Sequence, residues 1–517
     1  METSRTHNVM RNISWAVLLQ ILLMLLQFFA RTVFIRNLGK DYLGITGLFT
    51  DIMSMLGIAN LGIPDVIIIS MYKPLAEKNY EKVRALLHLF RKASYISGLA
   101  VLIIGLILIP MMHLFIKNPP NIPESFRVIY LFYLAQSVVT YFIIYKRTII
   151  FANQKDYIIN IYAKVFNFLQ IILQIVVLLT IKNFYLFLFA QVLCTLSMNY
   201  LTSLKAEKMY PFIKGKNKYK LNKEEISEII TNIKSMFIYV IGIAVMNGVD
   251  SILISSIVGI GILGLCSNYM LIINSVKDLV DRTMIGFTAS IGNLNAVEES
   301  ETIENVFNQV YFIAFAIAAF FAINLAVSLS SLISVWLNGS FLISQIIVIS
   351  MALRFYILIT QYVTFTFRST LGLLKKIRYI PLVTAVSNIG LSILLGRLYG
   401  VSGIFFASSI SILSFTVIPE VLLLYKNIFK KSSIFFLIRC LGYLLFIVFN
   451  YFVTSRLLDK FVFTGWIGFF LRAFIGAIIS GLLFIIVFFR DKYFRALFTR
   501  LLYMIKYKNA KNDANPE

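Results

Sequence analysis

An all-α polytopic membrane fold with about fourteen transmembrane helices is the class that this sequence predicts. Three observations carry the prediction. Of 517 residues, 59% are hydrophobic and only 14% charged, whereas a soluble chain carries about 25% charged residues. Apolar stretches of the roughly 20 residues that a spanning helix needs recur along the whole chain, separated by short polar breaks. The formal net charge of +24 sits in small basic clusters at those breaks and not on one soluble face, which argues against nucleic acid as a partner.

The helices are expected at 12–35, 43–71, 93–115, 126–150, 158–181, 184–204, 235–258, 262–288, 308–334, 344–367, 380–396, 402–425, 434–453 and 465–489. The first follows Arg5 and Arg11 and has no small-residue cleavage site, so it reads as a retained span and not a removed signal. The break at 205–234 holds Lys214, Lys216, Lys218, Lys220 and Lys223. It reads as a solvated linker beside anionic lipid, and Asn222-x-x-Glu225 within it is the signature of a helix start. After the last span, Phe494, Leu497, Phe498, Leu501, Leu502 and Ile505 recur at helical spacing among basic residues, the pattern of an interfacial anchor.

Charge asymmetry predicts orientation. With a cytoplasmic N-terminus, the inner breaks hold 34 Lys and Arg and the outer breaks eight, so both termini are expected in the cytoplasm. The motifs of self-contained enzymes are missing. There is no HExxH, no Walker A lysine and no Cys/His metal spacing, and Cys194, Cys266 and Cys440 fall in apolar runs, where thiols behave as small hydrophobes. No cofactor is expected. A membrane glycosyltransferase or polymerase would need a large outer loop or a DxD motif, and the longest outer break is only 454–464.

The chain also matches itself. Gly39-x-x-x-Leu43-Gly44 and Gly259-x-x-x-Leu263-Gly264 are 220 residues apart. Arg147-Thr148 and Arg368-Ser369 are 221 apart, as are Asn167 and Asn388. Landmarks in one order at near-constant offset predict two homologous six-helix lobes, and because six is even the repeats are parallel about the membrane normal. Two such lobes are expected to enclose a cavity open alternately to each side. The expected organisation is an N-lobe at 1–204, the linker at 205–234, a C-lobe at 235–425, two further helices in 426–489 and a basic tail at 490–517.

At this point the residues resemble a family. Phe29-Ala30-Arg31-Thr32-Val33-Phe34-Ile35-Arg36-Asn37-Leu38-Gly39-Lys40-Asp41-Tyr42-Leu43-Gly44-Ile45 resembles the opening signature of the Wzx-type polysaccharide repeat-unit flippases. These form a branch of the multidrug/oligosaccharidyl-lipid/polysaccharide (MOP) exporter superfamily, with the MATE multidrug extruders and the lipid II flippase. Tyr399-Gly400-Val401-Ser402-Gly403-Ile404 with Ala407-Ser408-Ser409 is similar to the start of the family's twelfth helix. The resemblance implies a bacterial inner-membrane protein that moves undecaprenyl-diphosphate-linked oligosaccharides from the cytoplasmic to the outer leaflet, in reach of a polysaccharide polymerase. It also implies that Arg31 corresponds to the first-helix arginine lining the cavity of the lipid II flippase. A cation-coupled MATE-type extruder is the alternative within the superfamily.

Charges inside spans are the candidate site. Lys or Arg at a helix centre costs about 2.5–3.5 kcal/mol on insertion scales, so such groups tend to face a polar interior. Arg31, Lys164 and Arg354 form the expected basic set, since guanidinium forks and lysine point charges suit a diphosphate. Asp65 and Asp250 are candidates for proton or sodium coupling, because low dielectric raises a carboxylate's proton affinity. Lys277/Asp281 and Asp278/Arg282 are i,i+4 pairs of opposite charge, expected to neutralise each other or to gate. Asn60, Asn167, Asn247, Asn268, Gln170 and Gln174 are placed to meet sugar hydroxyls, or equally to join helices. Arg472 and Glu420 are expected to snorkel from span ends.

Overall fold

The computed structural model describes residues 22–57, 62–117, 119–215, 219, 221–297, 300–371, 373, 378–496 and 499. Its long helices, in chain order, are α1 Leu22–Leu38, α2 Lys40–Leu56, α3 Ile63–Ala76, α4 Tyr80–Leu108, α5 Phe126–Ile143, α6 Asp156–Thr180 and α7 Phe184–Met209. They continue as α8 Lys223–Leu253, α9 Ile260–Val297, α10 Ser300–Leu337, α11 Gln345–Thr370, α12 Ile380–Phe429, α13 Ile434–Leu458 and α14 Gly465–Phe488. Side chains written into the sequence start several of them. Asn79 and Asn183 accept 3.0 Å bonds from the backbone of Lys82 and Leu186, and Asn222 with Glu225 forms a complete capping box on α8. Each cap satisfies a helix-end donor that has no partner within the helix.

The fold is that of an all-helical polytopic membrane protein. Among the described residues eleven helices are long and apolar enough to span, or twelve if α1 and α2, bent by 119°, make one broken span. The difference from fourteen has two local causes. The helix expected at 43–71 is divided into α2 and α3, because Gly62 takes φ 86° and Pro64 then opens α3. The helices expected at 380–396 and 402–425 are both present, parted by a kink at the non-helical Gly400 (φ 63°, ψ −139°), and together they make up the 50 residues of α12, which counts once among the eleven. The first ten residues of the expected first helix and most of the amphipathic tail lie outside the described residues.

Two compact units divide the chain, Met1–Ser267 with Pro381–Ala385, and Asn268–Ile380 with Val386–Glu517. In the first, the two glycine motifs interlock. Gly39 (φ 87°) breaks α1 from α2, and Gly259 (φ 140°) separates the end of α8 from α9, conformations that favour glycine. A Cβ on Gly44 would lie 2.2 Å from the Ile260 carbonyl oxygen, and one on Gly264 would lie 2.2 Å from that of Lys40. The two helices therefore meet backbone to backbone, the approach that small residues permit in membranes.

The second unit is held by rings. Phe315 stacks on Tyr443 at 3.8 Å between centroids, and Phe446, Phe484 and Phe488 close around the pair, fastening α13 and α14 to α10. Polar bonds add direction: Asn324 donates to Ser480 Oγ at 3.0 Å and Asn450 to the Ser480 carbonyl at 3.1 Å. Elsewhere α14 turns Phe470, Phe474 and Ile486 outward, an apolar surface that lipid covers.

Candidate functional site

A cavity of about 600 Å³ opens in the first unit. α2 contributes Thr50 and Ser54, α5 Gln136, Ser137 and Thr140, and α7 Gln191 and Thr195; Asp65 enters from the first turn of α3. The amides fix one another. Gln191 Nε2 donates to Gln136 Oε1 and Gln136 Nε2 to Thr195 Oγ1, both at 2.9 Å. Farther along the chain Arg147, on the 3₁₀ turn Ile144–Arg147 after α5, donates to Asn199 Oδ1 at 3.0 Å, and Asn199 to Thr140 Oγ1 at 3.3 Å. Such linked bonds hold each group in one orientation. Asp65 is the one charged residue in the lining among the described residues, so these present neutral donors and acceptors around a single carboxylate, a chemistry suited to hydroxyl-rich or cationic groups.

The expected site residues are distributed over both units. Arg31 is half-buried on α1 and its Nη2 donates to Ser267 Oγ at 2.6 Å, tying α1 to α9 just beyond the second glycine motif. Asp250 is buried near the end of α8, and Asn268 is buried on α9. Lys164 and Asn167 are exposed on α6, with Gln170 half-buried. Gln174 is buried and reaches the Phe187 carbonyl at 3.4 Å, a helix-joining bond. Asn60 and the side chain of Asn247 lie outside the described residues.

In the second unit Arg354 and Lys277 come together. They line one small cavity of about 30 Å³ with Asn274 and Phe405, the Arg354 guanidinium 5.9 Å from the Phe405 ring centre. Lys277 Nζ is 2.5 Å from Asp281, while Asp278 and Arg282 are exposed on the same helix. No group of three or more metal-ligating side chains occurs among the described residues.

Two arrangements escaped the sequence reading. The cavity stripe had a signal, since Gln136 and Thr140, and Gln191, Thr195 and Asn199, recur every fourth residue and so share a helix face. Glu420 does not snorkel. It is about 1% exposed, 3.2 Å from the equally buried Arg368, and accepts a bond from Thr364 at 2.5 Å. Arg368, one residue past the helix expected at 344–367, belongs to α11. Glu420 lies on the short α-helical piece between two π turns, Leu413–Val417 and Tyr425–Phe429. Arg472 keeps a polar anchorage, bonding the Val327 carbonyl at 2.9 Å and Asp459 at 3.2 Å.

No protein-family model matches the chain, and no curated protein matches it in sequence. Solved structures match it in fold. The lipid II flippase MurJ, in its inward closed conformation, aligns with a TM-score of 0.65 at 16% identity, over 91% of this chain and 98% of that one. An inward-facing multidrug resistance MATE family transporter of the MOP superfamily aligns at 0.57 and 13% identity, over 76% and 92%. The MATE multidrug transporter DinF-BH aligns at 0.52 and 18% identity, over 82% and 96%. At these identities the likeness is one of architecture: the chain has the fold of the MOP superfamily.

Proposed function

We propose that the protein is a Wzx-type flippase, moving undecaprenyl-diphosphate-linked oligosaccharide repeat units from the cytoplasmic to the outer leaflet of a bacterial inner membrane by alternating access. The observation that carries this reading is the reach of the likeness to the lipid II flippase. Residues 1–429 are 429 of 517 positions, about 83% of the chain, so an alignment over 91% extends past α12 toward the two last helices. The multidrug transporter's 76% needs neither of them. In this reading both termini are cytoplasmic, and α13 and α14 form part of the track of the lipid tail.

Arg31, Arg354 and Lys164 meet the diphosphate, and Asp65 or Asp250 takes up the coupling proton or sodium ion. The amides and hydroxyls around Gln136 and Gln191 meet sugar hydroxyls, whose many weak contacts tolerate varied repeat units. Lys277 with Asp281 and Asp278 with Arg282 act at a gate, and a polymerase receives the product. The test is export of surface polysaccharide in cells that lack their own repeat-unit flippase. Arg31→Ala abolishes it while the protein remains in the membrane; undiminished export removes Arg31 from the mechanism.

One observation favours a cation-coupled multidrug extruder as the second reading: among the described residues Asp65 is the sole charged one in the lining of the amide-lined cavity. Resistance to organic cations on overexpression, with no effect on surface polysaccharide, decides for it.

A further inference from the structure

A second cavity in the first unit, of about 680 Å³, has the opposite chemistry. Arg84, His88 and Arg91 reach it from the opening turns of α4, Lys146 from the 3₁₀ turn after α5, and Glu207 and Lys214 from the end of α7 and the turn beyond. Among the described residues, four fixed cations thus face one carboxylate in the lining. Glu207 is itself engaged, pairing with Lys146 and lying 3.2 Å from Lys214. A surplus of like charge around a partly dehydrated hollow is relieved by an anion.

The guanidinium groups are held in place. Arg84 Nε donates to the Phe212 carbonyl at 2.9 Å, and a Cβ on Gly215 would lie 2.9 Å from its Cζ. The Arg91 guanidinium lies 5.5 Å from the Tyr95 ring centre and 5.8 Å from that of Tyr145. Pre-oriented guanidinium groups suit phosphate oxygens.

Position names the carrier of that phosphate. Leu87 and Ile213 supply apolar wall, and farther along α4 the exposed Ile96, Leu99, Ile103 and Ile107 form a face that only hydrocarbon covers well. Tyrosines such as Tyr95 and Tyr145 favour the boundary between head groups and chains. Basic pockets between spanning helices at that level take phosphate head groups. We infer that this cavity binds the phosphate head of an anionic lipid, whose chains run along the outer face of α4. The assignment is independent of the flippase reading and uses none of its residues.

A soluble phosphate shares the head's chemistry without the chains, and a titration of the purified full-length protein in detergent separates the two. Phosphatidylglycerol is expected to bind about tenfold more tightly than phosphatidylcholine and than inorganic pyrophosphate. Arg84→Gln with Arg91→Gln removes that preference. Lys92→Gln with Lys208→Gln, an equal charge loss at exposed positions outside the lining, keeps binding within about twofold. Lys214→Gln alters a largely exposed side chain, so its folding is safe, and it weakens phosphatidylglycerol binding about threefold; it decides the matter if the double variant fails to fold. Equal losses in the pocket and control variants, or no loss in either pocket variant, overturn the inference. Pyrophosphate binding as tightly as the lipid, and lost with the same arginines, assigns the cavity to a soluble phosphate and overturns the lipid.

Discussion

Arg147 and Arg368, 221 residues apart, make the same long-range contact: each binds a residue 52 positions farther along the chain. Arg147 donates to Asn199 at 3.0 Å, and Arg368 lies 3.2 Å from Glu420. The two contacts share one sequence separation, with an amide as the partner of Arg147 where Arg368 has a carboxylate. Removing one member of a buried ion pair leaves the other charge uncompensated and costs about 3–5 kcal/mol. Glu420→Gln is expected to lower the stability of the detergent-solubilised protein by that order, read as a lower thermal midpoint. Arg368→Gln together with Glu420→Gln should cost less than the two single changes added, by about 1 kcal/mol or more; strict additivity would show that the pair is not coupled.

The interlocked glycines make a sharper packing prediction. A Cβ at Gly44 or Gly264 meets a backbone carbonyl at 2.2 Å, and no side-chain rotation relieves it. Gly44→Ala and Gly264→Ala should each destabilise the protein by about 1–3 kcal/mol, the usual cost of overpacking. Gly47→Ala, with nothing within 4 Å of its Cβ, should be neutral. Thermal unfolding of the three variants side by side checks this, and equal behaviour of all three would refute it.

What the sequence made legible follows from which forces are local. Spans are legible because burial in hydrocarbon demands a long apolar run, and the Asn222 cap is legible because its partner lies three residues away. The glycines of the two Gly-x-x-x-Leu-Gly segments appear as a repeated motif, but that Gly44 packs on Ile260 and Gly264 on Lys40 is a tertiary fact with no periodicity to announce it. Glu420 was misread because a charge in a long apolar stretch looks alike whether it snorkels or pairs. Only the fold of α11 against α12 brings Arg368 to it. The cavity stripe is legible in the four-residue spacing of Gln136 and Thr140 and of Gln191, Thr195 and Asn199, but neutral amides in a span carry no charge penalty that would mark them as a site.

That stripe supports a third prediction. Gln191→Leu takes a partner from Gln136 and leaves a polar group in the cavity wall unsatisfied, a loss of about 1–3 kcal/mol where burial is complete and less here, where both residues are half-buried. The proposed transport should fall more steeply than the amount of folded protein in the membrane, because the altered surface lies where cargo passes. Asp65→Asn, exposed and at a helix start, should leave stability nearly unchanged and abolish dependence of transport on the coupling ion. Export by the Asp65→Asn variant that still follows the ion gradient would move coupling to another carboxylate.

The clamp between Lys82 and Glu225 predicts a pH effect of known sign. Their charged groups lie 2.5 Å apart and join the start of α4 to the start of α8. The Lys82 ammonium, followed by the Asn222 backbone, holds the Glu225 carboxyl below its ordinary value of 4.5. A carboxyl with a lowered folded pKa stabilises the fold above its unfolded value, and that contribution disappears as the pH falls through the folded value. Both side chains are partly exposed, so solvent limits the contribution to about 1 kcal/mol or less. Between pH 7 and 5 the thermal midpoints of the native protein and of Glu225→Gln should differ by a constant amount, the native protein being the more stable. Below about pH 4.5 the two should converge. A difference that stays constant down to the lowest pH at which the fold survives would mean that Glu225 does not act through its charge.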